Sequence, residues 1–247
     1  MASKMLGQCC FKGFYRKGET KGLHKDIFGV DSYVVGLENP SDKVVVIMTD
    51  VYGNRLNNVL LTADQIAESG YQVYVPDILF NNPALDLNVP LDIPAWMASH
   101  PVDRAHNLVT KYLSDLRKHV NPKFVGIIGY CYGAKFAIKQ IDSASGIVDA
   151  CAIAHPSLVT IEDVAAIGKP LLISAAEEDA IFPEEMRHMT EAKLKEIGAR
   201  YEIDLFSGVE HGFASRGDVS NPVVKFAMNK ALADQLYWFD HFASGGQ

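Results

Sequence analysis

Apolar residues fall along the chain in two alternating rhythms. Short continuous runs rich in β-branched residues predict strands buried on both faces at 42–50 (DKVVVIMTD), 71–77 (YQVYVPD), 124–129 (FVGIIG), 148–154 (VDACAIA), 170–176 (PLLISAA) and 201–208 (YEIDLFSG). Between them the apolar positions recur with helical period over 57–69, 103–119, 133–142 and 183–198. A long amphipathic helix begins at Asn221, with Val224, Met228, Leu232, Leu236, Phe239 and Phe242 on one face. Strand–helix alternation predicts an open, mostly parallel sheet flanked by helices. The first 36 residues are expected to add strands at one edge. The segment 78–102, with Pro83, Pro90, Pro94 and Pro101, is too apolar for a disordered spacer and reads as a cap or pocket wall over the sheet's carboxyl edge. No internal repeat, low-complexity tract or linker divides the chain, so residues 1–247 are expected to form one α/β domain.

Composition narrows the function classes. Of 247 residues 48% are hydrophobic, enough for one sizeable core, and 21% are charged, with a formal net charge of −7. Positive charge is not gathered into a tract, which argues against a nucleic-acid partner. No apolar stretch approaches the roughly 18 residues of a membrane span. The N-terminal stretch lacks the apolar core of a signal peptide, position 2 is Ala, and "FASGGQ" carries no prenylation cysteine. A cytoplasmic protein, with access to the nucleus, is expected. Nothing sets its oligomeric state, and a monomer suffices.

The cysteines are Cys9, Cys10, Cys131 and Cys151, without a CxxC pair, and the chain has no HExxH motif. Neither a disulfide scaffold nor a metal site is expected, only free thiols in a reducing compartment.

The candidate chemistry lies in "VGIIGYCYGAKFAI" (125–138), where an apolar strand closes on a cysteine boxed by Gly129 and Gly133. A tight strand-to-helix turn strains its central residue and crowds neighbouring backbones, which glycines relieve. It also lifts the thiol above the sheet's carboxyl edge, where open α/β sheets bind ligands. This is the pattern G-x-S-x-G with sulfur in place of oxygen. Taken singly, Cys131 can be a buried core thiol, His211 a loop histidine and "EED" a helix-start acid cluster. Together they follow three separate predicted strands in the order nucleophile, acid (Glu177, Glu178 or Asp179), histidine (His211), as hydrolytic triads on such sheets require.

With these residues the chain resembles the dienelactone hydrolase (carboxymethylenebutenolidase) family of α/β-hydrolases, whose nucleophile is a cysteine. The likeness runs from about residue 25 onward through "TDVYG", "GYQVYVPD", "GYCYGAK", "AAEEDAIFP" and "EHGFASRGD", and "DVYGNRLNNVLLTAD" and "YWFDHF" look most like fungal cytosolic members. The resemblance implies that Cys131 is the nucleophile, Asp179 the acid and His211 the base. It implies that the backbone N–H groups of Val51 and Tyr132 are the oxyanion donors. Asp50 falls where bacterial members place a glutamate that contacts the resting thiol, and is one methylene shorter. Those members also hold a substrate carboxylate with two arginines. One of these positions is Ser215 here, with Arg216 beside it, and Arg104 lies nearest to the other.

The sequence therefore predicts a cofactor-free hydrolase of a small ester, lactone or thioester. Asp50, His155 (in "AIAHPS") and Arg216 are candidate pocket residues. His155 can equally be a structural histidine. A non-catalytic fold member that binds a small molecule or a partner is the alternative, and a thiol redox protein a second, for which no resolving cysteine lies near Cys131 in sequence.

Overall fold

The β-branched runs form the centre of one sheet, where burial on both faces favours them. The computed structural model describes residues 2–246 apart from Ser41, Leu85 and Pro90, so the cap's Pro90 lies outside the described residues. The described residues form eight strands: β1 (Leu23–Ile27), β2 (Val30–Val35), β3 (Lys43–Met48), β4 (Gln72–Pro76), β5 (Phe124–Tyr130), β6 (Ala150–Ala154), β7 (Leu171–Glu178) and β8 (Tyr201–Glu210). They also form eight α-helices: α1 (Asn57–Glu68), α2 (Ile93–Ser99), α3 (Val102–Val120), α4 (Tyr132–Ile138), α5 (Ile161–Ala165), α6 (Glu184–Glu196), α7 (Phe213–Arg216) and α8 (Pro222–Ala243). The strand order is β1-β2-β4-β3-β5-β6-β7-β8. β2 is antiparallel to β1 and β4, and the other pairs are parallel.

Side chains alternate across the sheet and feed two apolar layers. Val44, Val46 and Met48 of β3 pack into one with Val109, Leu113 and Leu116 of α3. Val45 and Ile47 pack into the other with Ala63 and Ile66 of α1 and Ala227, Ala231 and Phe239 of α8. The buried face of α8 centres on Ala227, Met228, Ala231, Gln235, Trp238 and Phe239. It is rotated from the expected face, and Val224, Leu232, Leu236 and Phe242 flank it half-buried. The small alanines allow the helix to lie close to the sheet. Among the described residues no helix is long and apolar enough to cross a membrane.

The expected edge strands arise only from residues 23–35. Residues 2–21 add none and instead cross the sheet's carboxyl edge. Ser3 N–H donates to Val159 O (2.7 Å), Lys4 N–H to Ile181 O (2.8 Å) and Phe14 N–H to Arg216 O (2.9 Å). Leu6, Cys10 and Phe11 are buried in the α3-side layer, so this stretch is held by irregular packing with no strand alternation for a sheet to use. The described residues of 78–102 cover the same edge. There Trp96 of α2 packs edge-on against Tyr132 at 5.3 Å and Phe11 at 6.1 Å.

Candidate active site

Cys131 occupies the one-residue turn between β5 and α4, with φ 49° and ψ −109°. For a residue with a Cβ this conformation costs on the order of 1–3 kcal/mol and persists only where packing enforces it. The flanking glycines show how it is enforced. A Cβ on Gly133 would lie 2.1 Å from Met48 O, and one on Gly129 would lie 2.6 Å from Ala134 Cα. The start of α4 is thus pressed against the end of β3, and only glycine fits between them.

Asp179 follows β7 directly and His211 follows β8, so both reach the edge at which Cys131 sits. His211 Nε2 is 3.2 Å from Cys131 Sγ, and His211 Nδ1 is 2.8 Å and 3.0 Å from the two Asp179 oxygens. Asp179 Oδ1 also accepts the N–H groups of Ile181 (2.8 Å) and Phe182 (3.0 Å), which fixes the carboxylate plane. Glu178 is exposed, and Glu177 accepts the Gly208 N–H. Of the three acids in "EED", therefore, Asp179 alone bonds the histidine.

Burial sets the charges. It disfavours ionisation of Asp179, but the His211 ring and the two backbone N–H groups hold its carboxyl below the usual range. Burial pushes the Cys131 thiol well up, and the neighbouring Cys10 adds to this. For His211 burial acts downward, yet a Cys131 charge and Asp179 carry it well above the ordinary histidine value. The Cys131 contribution exists only when the sulfur is anionic, which its burial opposes.

Among the described residues, neither the Val51 nor the Tyr132 N–H has a hydrogen-bond acceptor in the protein, so both are free to donate. Asp50 makes no hydrogen bond to Cys131. It accepts Arg216 Nη1 (2.6 Å), Ser215 Oγ (3.0 Å) and the Tyr52 N–H (3.0 Å). Arg216 is buried and also donates from Nε to Lys12 O, while its Nη2 has no partner. Arg104 stacks over the Phe80 ring at 3.7 Å, away from this cluster. His155 is fully buried, its ring edge-to-face with His211 at 5.1 Å and both nitrogens unpartnered. Burial, then the neighbouring His211 and Arg216 charges, push it well below the usual value and hold it neutral. A cavity of about 410 Å³ opens beside His211, lined by it and by Phe213, Arg216, Lys12, Glu210 and Asp218 among others, and His155 does not reach it.

Two polar neighbours of the thiol escaped the sequence reading. Ser157 Oγ lies 3.3 Å from Cys131 Sγ. Cys10 Sγ lies 3.5 Å from His211 Nε2, across a separation of 201 residues. Ser157 follows a predicted strand end in "AHPS", which is a usable signal. For Cys10 no local pattern exists, because irregular packing alone brings the N-terminal segment over the edge. Both Cys10 and Cys131 have no solvent exposure.

A nucleophile-type turn after the fifth strand, an acid after the seventh and a histidine after the eighth define the α/β-hydrolase fold. The profile of the Dienelactone hydrolase family matches residues 30–243. The chain is 38% identical to "Hydrolase tropI" of Talaromyces stipitatus over 98% of both chains. It is 32% identical to "Dienlactone hydrolase 1" of Gibberella moniliformis, over 96% of this chain and 94% of that one. A solved dienelactone hydrolase-like promiscuous phosphotriesterase, P91 from metagenomic libraries, superposes with a TM-score of 0.68 at 14% identity, covering 90% of this chain and 98% of that one. The chain belongs to the dienelactone hydrolase family and is a hydrolase.

Proposed function

We propose that this chain hydrolyses the carbonyl of a small ester, lactone or thioester through a Cys131–His211–Asp179 triad. The observation that carries the reading is the unbroken contact chain from Cys131 Sγ through both nitrogens of His211 to Asp179. His211 Nε2 takes the thiol proton as Sγ attacks the substrate carbonyl carbon. The N–H groups of Val51 and Tyr132 stabilise the tetrahedral oxyanion, and the absence of protein acceptors for them supports that role. Collapse expels the alcohol or thiol, protonated by His211, and leaves an acyl-cysteine. Water deprotonated by His211 then attacks the acyl carbon, releasing the acid and restoring the thiol. No cofactor enters this sequence.

Substrate enters by the cavity beside His211, which Arg216 also lines. Replacing Cys131 by Ala should abolish hydrolysis of activated aryl esters while leaving the thermal unfolding transition in place. A rate within a few-fold of wild type would remove Cys131 as nucleophile.

A further inference from the structure

Cys10 has no part in the proposed reaction, yet it is buried against the reacting groups. Its sulfur, the Cys131 sulfur and a His211 ring nitrogen all lie within 4.8 Å of one another. The two sulfur–nitrogen separations are 3.2 Å and 3.5 Å. A tetrahedral zinc ion, with Zn–S near 2.3 Å and Zn–N near 2.0–2.1 Å, sets such ligands about 3.6 Å apart for S···N and about 3.8 Å for S···S. The two sulfur–nitrogen separations are thus already close to those a zinc ion imposes, and the two sulfurs lie within 4.8 Å of each other.

We propose that Cys10, Cys131 and His211 form a binding site for zinc, or a comparably soft divalent cation, whose occupation shuts off the enzyme reversibly. The inhibition rests on the triad reading above, whereas the binding does not.

The surroundings meet the needs of such a site. His211 bonds Asp179 through Nδ1 and presents Nε2 to both sulfurs. That is the carboxylate–histidine arrangement that orients zinc-ligating imidazoles. Ser157 Oγ lies 3.3 Å from one sulfur and 3.7 Å from the other, within reach to donate to a bound thiolate. Two thiolates and a neutral imidazole balance the ion's charge, which matters in a buried site. Cys10 is fixed by its flanks. Cys10 N–H donates to Gly7 O, Asn88 N–H to Phe11 O, and Asn88 Nδ2 to Gly13 O. A cavity lined by His211 lies beside the cluster. Binding forms two metal–sulfur bonds and one metal–nitrogen bond and releases two protons. The count is the same whether the resting pair is thiol and imidazole or thiolate and imidazolium. Three ligands leave a fourth position for water, and His211 Nε2 is no longer free to act as a base.

The test uses the full chain stripped of metal by a chelator and titrated anaerobically. Cobalt(II) should bind with one-to-one stoichiometry and give an intense near-ultraviolet thiolate charge-transfer band with tetrahedral visible bands. Zinc should displace the cobalt, and one equivalent should suppress ester hydrolysis until chelator restores it. In Cys10→Ser the zinc affinity, read by competition with a chromogenic chelator, should fall roughly 100-fold or more. A second readout needs no variant: X-ray absorption at the zinc edge of the wild-type complex should show two sulfur neighbours near 2.3 Å and a nitrogen near 2.0–2.1 Å. A single sulfur neighbour, equal affinity in a folded Cys10→Ser protein, or no stoichiometric binding would each overturn the proposal. Normal hydrolysis by Cys131→Ala would instead overturn the triad and leave the binding result standing.

Discussion

At the residue scale, one bond decides which carboxylate serves the histidine. Asp179 is buried and bonds His211 Nδ1, whereas Glu178 faces solvent and Glu177 is spent on the Gly208 N–H. Asp179→Asn keeps the shape but offers an amide in place of the acceptor that fixes the tautomer. It should lower kcat about 1,000- to 10,000-fold. Glu177→Gln and Glu178→Gln should cost less than about threefold, since neither meets the triad. Should Glu178→Gln be the damaging change, the acid is wrongly placed. The same bond shapes the pH profile. In the proposed reaction His211 must be unprotonated to accept the thiol proton, so kcat/KM should fall along its acid limb as pH drops through the His211 titration, which the Asp179 bond shifts upward. Asp179 is one source of that rise, so in the residual activity of Asp179→Asn the limb should move to lower pH. A limb that stays put would separate Asp179 from the titration of His211.

At the element scale, the turn between β5 and α4 is a packing problem solved by glycine. Gly133→Ala forces a methyl group to within 2.1 Å of Met48 O, a backbone atom that cannot turn aside as a side chain would. The end of β3 or the start of α4 must shift, at a cost of about 3 kcal/mol or more. Because that shift also moves the Tyr132 N–H and the thiol, kcat should fall with stability. Urea unfolding and steady-state kinetics on the same variant check both, and a loss below about 1 kcal/mol with kcat intact would contradict the close approach. This turn was legible in the sequence because its mark is local, glycines two residues either side of Cys131, even though the contact that requires Gly133, with Met48 O, is distant along the chain. The central strands were legible for a similar reason, since burial on both faces writes itself as an unbroken apolar run. The short helices α2, α5 and α7 were not, because four to seven residues do not complete enough turns to display a period. The buried face of α8 was mispointed because apolar size, which favours Leu232 and Leu236, is a poorer guide than the small Ala227 and Ala231 that let the helix approach.

At the scale of the whole molecule, what the sequence hid is what long-range packing creates: a strap of residues 2–21 laid over the reacting groups, and an ion pair that ties Asp50 to Arg216. That pair bears on substrate charge. Arg216 lines the cavity beside His211 and is the candidate carboxylate clamp, yet its Nη1 is 2.6 Å from Asp50 Oδ2 and its Nε is held by Lys12 O. Its charge is therefore largely neutralised where a substrate would meet it. The cavity wall adds Lys12 against Glu210 and Asp218, and the chain as a whole carries −7. An anionic substrate approaches a field that opposes it and finds no free bidentate partner on arrival. Neutral aryl or short-chain esters should therefore be hydrolysed with kcat/KM at least equal to that of matched esters bearing a free carboxylate. Salt gives the decisive second measurement. Raising ionic strength from about 0.01 M to about 0.15 M shortens the screening length from roughly 30 Å to roughly 8 Å. It should raise kcat/KM for the anion and leave that for the neutral ester unchanged. Arg216→Ala would strand Asp50 as an unpaired buried carboxylate, at about 3–5 kcal/mol, so the comparison belongs first in the wild type. A tenfold preference for the anion that weakens with salt would mean that Arg216 leaves Asp50 when substrate binds, and that the pocket is cationic in use.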